Sequence, residues 1–321
     1  MPESSKNRIL ITGAGGQIGT ALTLALRRNY GGDQVVATDI RPLPSTLSND
    51  GPTNNLDVTN REALATLLRR YQISTIYHMA AILSATGEEK PILAWNVNIG
   101  GFNNILEVAR EMGVKKIFHP SSIAVFGPTT PKENTPQQTI LRPTTMYGIT
   151  KIASELLGTY YNQRYGIDVR GIRYPGVISS ETLPGGGTTD YAVEIFYEAI
   201  RTGHYTCFVR EDTVLPMIYM PDCIRATLML MDADPTRLKY AAEYNVAGLS
   251  FSAGQLAKEI QKHIPHFTCT FRPDFRQQIA DSWPRNIDDT YARQDWDWEP
   301  QYDLSSMVAD MINKLRQRLQ G

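Results

Sequence analysis

A tyrosine and a lysine stand four residues apart in this chain of 321 residues, as Tyr147 and Lys151. Side chains at i and i+4 lie on one face of a helix, so the phenol and the ammonium would be one turn apart. A phenol has an ordinary pKa of ~10, and a nearby ammonium lowers that pKa because it favours the phenolate. Ser122 follows a strand-like run, and its hydroxyl can hold a substrate oxygen beside the phenol. We therefore expect proton removal from an alcohol, with Tyr147 as the base and Ser122 and Lys151 as its catalytic partners.

The position of this pair matters more than its spacing, because a half-buried tyrosine and a solvated lysine on an amphipathic helix would show the same pattern. Tyr147 opens a helical stretch, and Ser121 and Ser122 follow the fourth predicted strand. Ligands of open α/β sheets bind at the carboxyl ends of the strands. The three side chains are therefore expected at that edge.

A glycine pattern near the N-terminus predicts a dinucleotide site. The strand-like run at 8–12 leads into a GxxGxxG loop, and a helical pattern follows. The first glycine permits a sharp turn, the second lets N–H groups approach a pyrophosphate at the positive helix end, and the third permits close packing. The predicted cofactor contacts in this loop are Gly13, Gly16, Gln17, Ile18 and Gly19.

An acidic residue, Asp39, ends the second predicted strand 20 residues after Gly19. A carboxylate at this place accepts hydrogen bonds from the adenosine ribose hydroxyls and repels a 2′-phosphate, which favours NAD over NADP. Arg41 could accommodate that phosphate, so the degree of preference stays open. The alternative is a tight glycine turn with a loop-facing aspartate.

The elements around these residues alternate between β-branched runs and longer helical patterns. This order predicts right-handed βαβ units and a parallel sheet covered on both faces, a Rossmann-type doubly wound α/β fold. We expect the dinucleotide-binding domain at 1–174 and a smaller, mainly substrate-binding α/β portion at 175–321, with a soft boundary and segments that can return to the first domain. The predicted strands are 8–12, 34–39, 75–79, 116–120, 168–174, 205–209 and 244–246. The predicted helices are 17–28, 61–71, 92–111, 147–165, 191–201, 223–231, 253–263 and 304–319.

Composition narrows the classes of partner. Lys plus Arg is 32 and Asp plus Glu is 33, so the net charge of −1 disfavours nucleic acid and anionic membranes as partners. No apolar run approaches the ~20 residues of a membrane span, and the first strand begins too early to leave room for a signal peptide. The three cysteines (Cys207, Cys223 and Cys269) form no CxxC pair, and the five histidines form no ligand set. We expect no metal site and a location in a reducing cytoplasm.

These motifs together resemble the extended short-chain dehydrogenase/reductase family. The stretch at 120–127 resembles the serine segment of that family, with Ser122 in the catalytic position, and the stretch at 174–176 resembles its segment near the nicotinamide. Four further segments, at 78–84, 184–196, 215–222 and 274–285, resemble the branch whose members oxidise L-threonine at the 3-hydroxyl to 2-amino-3-oxobutyrate with NAD. The resemblance implies that activity, and further cofactor contacts at Leu56, Asp57, Met79, Ala80, Ala81, Tyr147, Lys151 and Tyr174. It also implies a substrate site lined by Ser84, Ser122, Tyr147, Thr188, Thr189 and Trp283.

Several of these residues have an ordinary structural alternative. Asp57 can cap the helix that starts at residue 61, and the two threonines can cap the helix that starts at residue 191. Trp283 can be a core aromatic, and Ser84 can be a turn residue. The helix at 147–165 has an apolar band wider than one sheet contact needs, which predicts a homodimer or coverage by residues 175–321.

Two other functions compete with this hypothesis. A nucleotide-sugar epimerase or dehydratase shares the fold, the glycine loop and the Ser/Tyr/Lys set, but it returns its hydride to the sugar and shows no net NAD reduction. Arg142, Arg210 and Arg225 could in principle bind the diphosphate of such a substrate. A non-catalytic NAD-sensing or scaffold protein on this fold tends to lack the Tyr or the Lys, and both are present here.

Overall fold

The computed structural model describes residues 8–181 and 187–320, so residues 184–186 of the glycine-rich segment lie outside the described residues. The strands are β1 (Arg8–Thr12), β2 (Val35–Asp39), β3 (Thr53–Asn55), β4 (Ile73–His78), β5 (Lys116–Phe118), β6 (Ser121–Ser122), β7 (Asp168–Arg170), β8 (Ile172–Tyr174), β9 (Gly176–Ile178), β10 (His204–Cys207), β11 (Val214–Tyr219), β12 (Tyr244–Asn245), β13 (Leu249–Ser252) and β14 (Thr268–Phe271). The helices are α1 (Gln17–Tyr30), α2 (Ser45–Ser48), α3 (Arg61–Tyr71), α4 (Ser84–Glu89), α5 (Pro91–Trp95), α6 (Gly101–Met112), α7 (Met146–Tyr165), α8 (Tyr191–Arg201), α9 (Met220–Asp232), α10 (Ala253–His263), α11 (Arg276–Ser282), α12 (Thr290–Trp296) and α13 (Leu304–Gln320).

A parallel sheet forms the centre of the molecule, in the order β3-β2-β1-β4-β5-β7. Its central strands are buried on both faces. One face packs with α1 and α9 and the other with α3 and α6. The predicted doubly wound α/β fold is therefore confirmed, and the carboxyl ends of the parallel strands form one edge where ligands can bind.

Several elements differ from the sequence-based expectation, among them one unpredicted strand, one divided strand and one interrupted helix. β3 was not predicted, because its residues Thr53–Asn55 are all polar. The strand expected at 168–174 divides at Gly171, where a Cβ would lie 2.4 Å from the Ala242 carbonyl oxygen and 2.6 Å from that of His119. The helix expected at 92–111 is interrupted between α5 and α6 by the π-helical turn Asn96–Gly100. Each difference depends on packing contacts that hydrophobic periodicity does not report.

A strand of the C-terminal half pairs with strands of the first half. β12 pairs in parallel with β8, and β8 in turn pairs with β6, so these strands form a second parallel set in the order β12-β8-β6. α9 packs against α1, and Trp296 and Trp298 are buried in the same cluster as the residues of β1. β11 pairs antiparallel with β13 and parallel with β9, and these three strands form a separate sheet within residues 175–321. No helix among the described residues combines the length and the apolar character that crossing a membrane requires.

Candidate active site

The start of α7 brings the tyrosine to the serine segment. The Thr145 side chain caps this helix by accepting a hydrogen bond from the Gly148 N–H at 3.1 Å. A Cβ at Gly148 would lie 2.2 Å from the Ala124 carbonyl oxygen, so only glycine lets the helix pack this closely on the turn after β6. Ser122 ends β6, and its hydroxyl accepts a hydrogen bond from the Ala124 N–H at 3.2 Å. The same hydroxyl lies near enough to the Tyr147 phenol to lower the pKa of that phenol.

The Lys151 side chain lies below the phenol ring. Its Nζ is 5.4 Å from the centre of the Tyr147 ring and donates a hydrogen bond to the Pro120 carbonyl oxygen at 2.6 Å. The lysine is 2% exposed, and burial lowers its pKa to about 8, while the Glu155 carboxylate acts in the opposite direction. An ammonium held against a carbonyl in this way has a fixed position at the carboxyl edge of the sheet.

The expected lowering of the tyrosine pKa is wrong for the protein alone. Burial raises the pKa of Tyr147 to about 12, and the nearby Ser122 hydroxyl opposes only part of that shift. Desolvation destabilises the phenolate, and the Lys151 ammonium is directed to the Pro120 carbonyl oxygen rather than to the phenol oxygen. The protein without its cofactor therefore holds Tyr147 as a neutral phenol at physiological pH.

The glycine loop has the geometry that a pyrophosphate requires. Gly13 has a φ of +68°, and a Cβ there would lie 2.5 Å from the Ala80 nitrogen. A Cβ at Gly19 would lie 2.1 Å from the Gly13 carbonyl oxygen, so both positions require glycine. α1 begins after Gly16 with no side chain capping its first N–H groups. These N–H groups, together with the positive end of the helix dipole, can bind an anion.

Asp39 is the acidic group next to this loop. One carboxylate oxygen accepts a hydrogen bond from the Gly15 N–H and the other from the Arg41 N–H, both at 3.0 Å. The carboxylate is buried, whereas the Arg41 side chain is largely exposed at 3.6 Å from it. These bonds fix the carboxylate at the end of β2, beside the loop, where ribose hydroxyls of a bound dinucleotide can reach it.

A cavity of about 790 Å³ opens beside Asp39 and contains the predicted adenine contact Asp57. Its lining also includes Ile40, which is 60% exposed. Asp57 accepts two hydrogen bonds from Thr59 and does not cap α3; Asn60 does so, through a bond from the Ala63 N–H. The capping alternative for Asp57 is therefore wrong.

The remaining predicted cofactor residues lie around the ends of β2, β4 and β8. Leu56 is buried, and its N–H donates to the Asp39 carbonyl oxygen. Met79, Ala80 and Ala81 follow β4 directly, and the close approach of Gly13 to Ala80 places them against the glycine loop. The hydroxyl of Tyr174 pairs with Thr227 in α9, so the proposed contact of this residue with a cofactor is through its main chain.

The predicted substrate residues other than Ser122 and Tyr147 lie on three segments. Ser84 is buried and begins α4. Trp283 is 6% exposed and belongs to the hydrophobic cluster against which Tyr147 packs. Thr188 is buried, and the Thr189 methyl group would lie 2.6 Å from a Cβ at Gly176, next to the predicted nicotinamide segment.

The helix-capping alternative for the two threonines is wrong. The N-cap of α8 is Asp190, no side chain caps this helix, and the Asp190 carboxylate instead accepts a bond from the Gly187 N–H at 2.6 Å. The side chains of Thr188 and Thr189 are therefore not used as caps, which is consistent with a binding role.

Asn98 is a buried residue that the sequence reasoning missed. It lies in the π-helical turn between α5 and α6, and its amide exchanges hydrogen bonds with the backbone of Ile82 at 2.8 and 3.1 Å. A further bond joins it to the Thr150 hydroxyl at 3.0 Å. It thereby ties the segment before Ser84 to the helix of Tyr147. Only its place in a helical interruption could have signalled this role, and periodicity did not detect that interruption.

The donor set of this edge fits a dinucleotide: no side chain caps the first N–H groups of α1, the Asp39 carboxylate is buried beside them, and an open cavity contains Asp57. Across the described ranges, three or more His, Cys, Asp or Glu side chains nowhere converge in a group that could hold a metal ion. The fold and the site together define an enzyme of the Rossmann type that binds a dinucleotide.

Comparisons with known proteins identify the family to which the chain belongs. The model of the NAD dependent epimerase/dehydratase family matches residues 9–247, so the chain belongs to this family, and NAD is its cofactor. A curated relative, an uncharacterized epimerase/dehydratase of Staphylococcus haemolyticus, is 50% identical over 98% of this chain and 99% of its own. The chain is thus an oxidoreductase of this superfamily.

Two solved structures have a more specific description. A GalE-like L-threonine dehydrogenase from Cupriavidus necator, in its holo form, is 50% identical with a TM-score of 0.94, over 96% of this chain and 99% of that one. A monomeric L-threonine 3-dehydrogenase from a metagenome is 50% identical with a TM-score of 0.93, over 98% of this chain and 100% of that one. The chain is similar to both over almost its whole length.

Proposed function

We propose that this protein oxidises L-threonine at the 3-hydroxyl to 2-amino-3-oxobutyrate and reduces NAD⁺ to NADH. The observation that supports this most directly is the position of Lys151 below the Tyr147 ring, with the Ser122 hydroxyl near enough to act on the pKa of the phenol. The likeness to two solved L-threonine dehydrogenases at 50% identity supports the choice of substrate.

In the proposed reaction Tyr147 takes the hydroxyl proton of threonine while Ser122 holds the same oxygen by a hydrogen bond. Bound NAD⁺ supplies the acceptor for the hydride that leaves C3. Lys151 stabilises the phenolate that must form, because a nearby positive charge favours the ionised phenol. The net reaction converts one alcohol and one NAD⁺ into one ketone, one NADH and one proton.

The other predicted substrate residues would bind the amino and carboxylate groups of threonine. Ser84, Thr188 and Thr189 offer hydroxyl and N–H donors, which suit a carboxylate. Trp283 is part of the apolar cluster beside Tyr147, and an indole there would exclude water from the reacting atoms.

The competing function, a nucleotide-sugar epimerase or dehydratase, agrees with the family name and with the names of the curated relatives. It needs cations for a diphosphate. Arg210 is paired with Asp281 at 2.7 Å, and Arg225 is paired with Asp222 at 3.1 Å and stacks on Trp298. Two of the three candidate arginines are therefore already engaged elsewhere, which favours the amino-acid substrate.

NADH formation is the test of this proposal. The purified protein is assayed with L-threonine and NAD⁺, and in parallel with NADP⁺, with UDP-sugars and without substrate. NADH should appear only with L-threonine and NAD⁺, and Tyr147→Phe should not produce it. Interconversion of a UDP-sugar without net NADH, together with inactivity on threonine, would establish the epimerase instead.

We also propose that the protein forms a homodimer through α5 and α7, in a reducing cytoplasm. Ile92 is 72% exposed, Leu156 66% and Tyr160 51%, and all three lie on these two neighbouring helices. Residues 175–321 contact α7 at Gly158 and Thr159, and they leave the three named side chains exposed. One similar structure is described as monomeric, so the oligomeric state needs its own measurement.

A further inference from the structure

A buried carboxylate lies one helical turn beyond the catalytic lysine. Glu155 follows Lys151 by four residues on the same face of α7 and is 4% exposed. The Arg173 guanidinium donates to both of its oxygens, from Nε and from Nη2, at 2.8 Å each. The Ser121 hydroxyl donates to one of these oxygens at 2.5 Å. Burial of such a charge is costly unless it is paired with this geometry, so the pair is a built feature rather than a surface contact.

The third nitrogen of Arg173 extends the contact to two loops, one around residues 135–137 and one around residue 288. Nη1 donates to the Gln137 carbonyl oxygen at 3.0 Å and to the Asn245 side-chain oxygen at 3.2 Å. The Asn245 amide then donates to the carbonyl oxygens of Thr135 and Asp288, at 3.3 and 3.2 Å. The two loops that receive these bonds also pair with each other through the bridge between residues 135 and 287. The segment of Trp283 is thereby connected to the helix of the base.

The surroundings of Lys151 contain few charges. His78, at the end of β4, and His119, just after β5, face it from the sheet, and burial together with the Lys151 charge lowers the pKa of both. They are therefore neutral at physiological pH. The Pro120 carbonyl oxygen accepts its hydrogen bond. Glu155 is the carboxylate that acts against the desolvation of this ammonium.

We propose that Glu155 is a positioning residue for the reaction: its carboxylate, held by Arg173 one helical turn beyond Lys151, stabilises the ammonium below Tyr147, and it fixes Ser121 beside Ser122. The inference rests on the proposed function only in that Tyr147 is taken as the base. Glu155 acts through Lys151 and Ser121 and does not itself contact substrate. Its role is therefore visible in the titration of Lys151 before any substrate is bound.

The pH dependence follows from the order of the two pKa values. The pKa of Tyr147 is about 12 and that of Lys151 about 8, so the reactive pair of phenolate and ammonium is a minor form. The population of this pair rises tenfold per pH unit up to the pKa of Lys151 and stays level above it. The pH profile of the rate therefore has a break at the pKa of Lys151 and a plateau above that break. Each unit by which the lysine pKa falls therefore moves the break down by one pH unit and lowers the plateau tenfold. On the acidic side of the break the rate is unchanged.

The first test compares Glu155→Gln with the matched variant Asp168→Asn. Asp168 is also a carboxylate paired with a buried arginine, Arg170, at 2.8 Å, but it lies in β7, outside the site. With kcat/KM for L-threonine measured against pH at saturating NAD⁺, Glu155→Gln should move the break to lower pH and lower the plateau by the same factor. Asp168→Asn should leave the break unchanged. Equal profiles for wild type and Glu155→Gln would overturn the proposal.

A second variant and a second readout keep the test valid if Glu155→Gln leaves Arg173 unpaired and the protein unfolds. The double variant Glu155→Met/Arg173→Met removes both charges at once, which buried pairs often tolerate. In NADH-loaded protein labelled with ¹³C at the lysine ε carbons, the Lys151 signal should titrate at lower pH in this variant. An unchanged midpoint would overturn the proposal. Because this measurement needs no substrate, inactivity on L-threonine would refute the proposed function and leave the Glu155 result standing.

Discussion

Asp39 offers the sharpest test of how the cofactor is selected. Its carboxylate is held by the N–H groups of Gly15 and Arg41, so an asparagine can keep one of these acceptors while it removes the charge. We therefore choose Asp39→Asn rather than Asp39→Ala as the perturbation. It leaves the volume of the side chain almost unchanged and changes mainly its interaction with the ribose that carries the adenine.

The expected magnitude comes from two separate interactions. A hydrogen bond from a ribose hydroxyl to a carboxylate contributes about 1.5–3 kcal/mol, so its loss should weaken NADH binding roughly 10- to 100-fold. A 2′-phosphate near Asp39 meets a repulsion of ~1 kcal/mol per charge pair in bulk water and ~4 kcal/mol near a protein surface. Removal of the carboxylate also frees Arg41, now 3.6 Å away, to pair with that phosphate. NADPH binding should therefore improve while NADH binding weakens.

The assay is the dissociation constant of NADH and of NADPH, measured for each variant by the fluorescence of the bound nicotinamide. Asp57→Asn is the matched control, because it changes a carboxylate at the adenine end of the cavity and should weaken both cofactors equally. Addition of Arg41→Gln to Asp39→Asn should cancel the gain for NADPH. If the ratio of the two constants stays at its wild-type value in a folded Asp39→Asn protein, the ribose role of this carboxylate is refuted.

Three further predictions concern α7. Tyr147→Phe should lower kcat by at least about 100-fold and leave the NADH dissociation constant within twofold of wild type, and near-normal turnover would mean that the base is another group. Gly148→Ala places a Cβ 2.2 Å from the Ala124 carbonyl oxygen and 2.5 Å from Pro143. The free energy of unfolding should therefore fall by about 1–3 kcal/mol, and activity should fall with it. An unchanged melting temperature and rate would contradict this packing. Leu156→Glu places a charge on the exposed apolar face and should convert a dimer to a monomer in analytical ultracentrifugation, whereas a wild-type protein of monomer mass at micromolar concentration would refute the dimer.

The elements that the sequence predicts well are those whose pattern is local. β1 and the helices α3, α8 and α10 have the predicted bounds, because each is a continuous run between turn or capping residues. The strands that were missed or divided depend on distant contacts. β3 is polar and pairs with β2, and the break at Gly171 exists because two other backbone segments approach it.

The same distinction applies to the site. The spacing of Tyr147 and Lys151 and the glycine loop are local patterns, and the Ser122 hydroxyl lies near enough to the phenol to lower its pKa. Asn98 and Arg173 act through partners more than 15 residues away in the chain, so no spacing rule marks them. The direction of the tyrosine pKa could not be predicted either, because it depends on how deeply the packed fold buries the phenol.

That burial has a consequence for how the base is activated. The desolvation that raises the pKa of Tyr147 also lowers the pKa of Lys151, so both shifts reduce the population of the phenolate–ammonium pair. Any charge added in this poorly hydrated region acts more strongly than it would in water, since the local dielectric is low. A single buried carboxylate at Glu155 is therefore enough to affect the lysine one turn away, and a ligand that excludes more water increases that effect. The site thus combines a base that is protected as a neutral phenol in the free protein with fixed charges that act on it once the alcohol oxygen is bound.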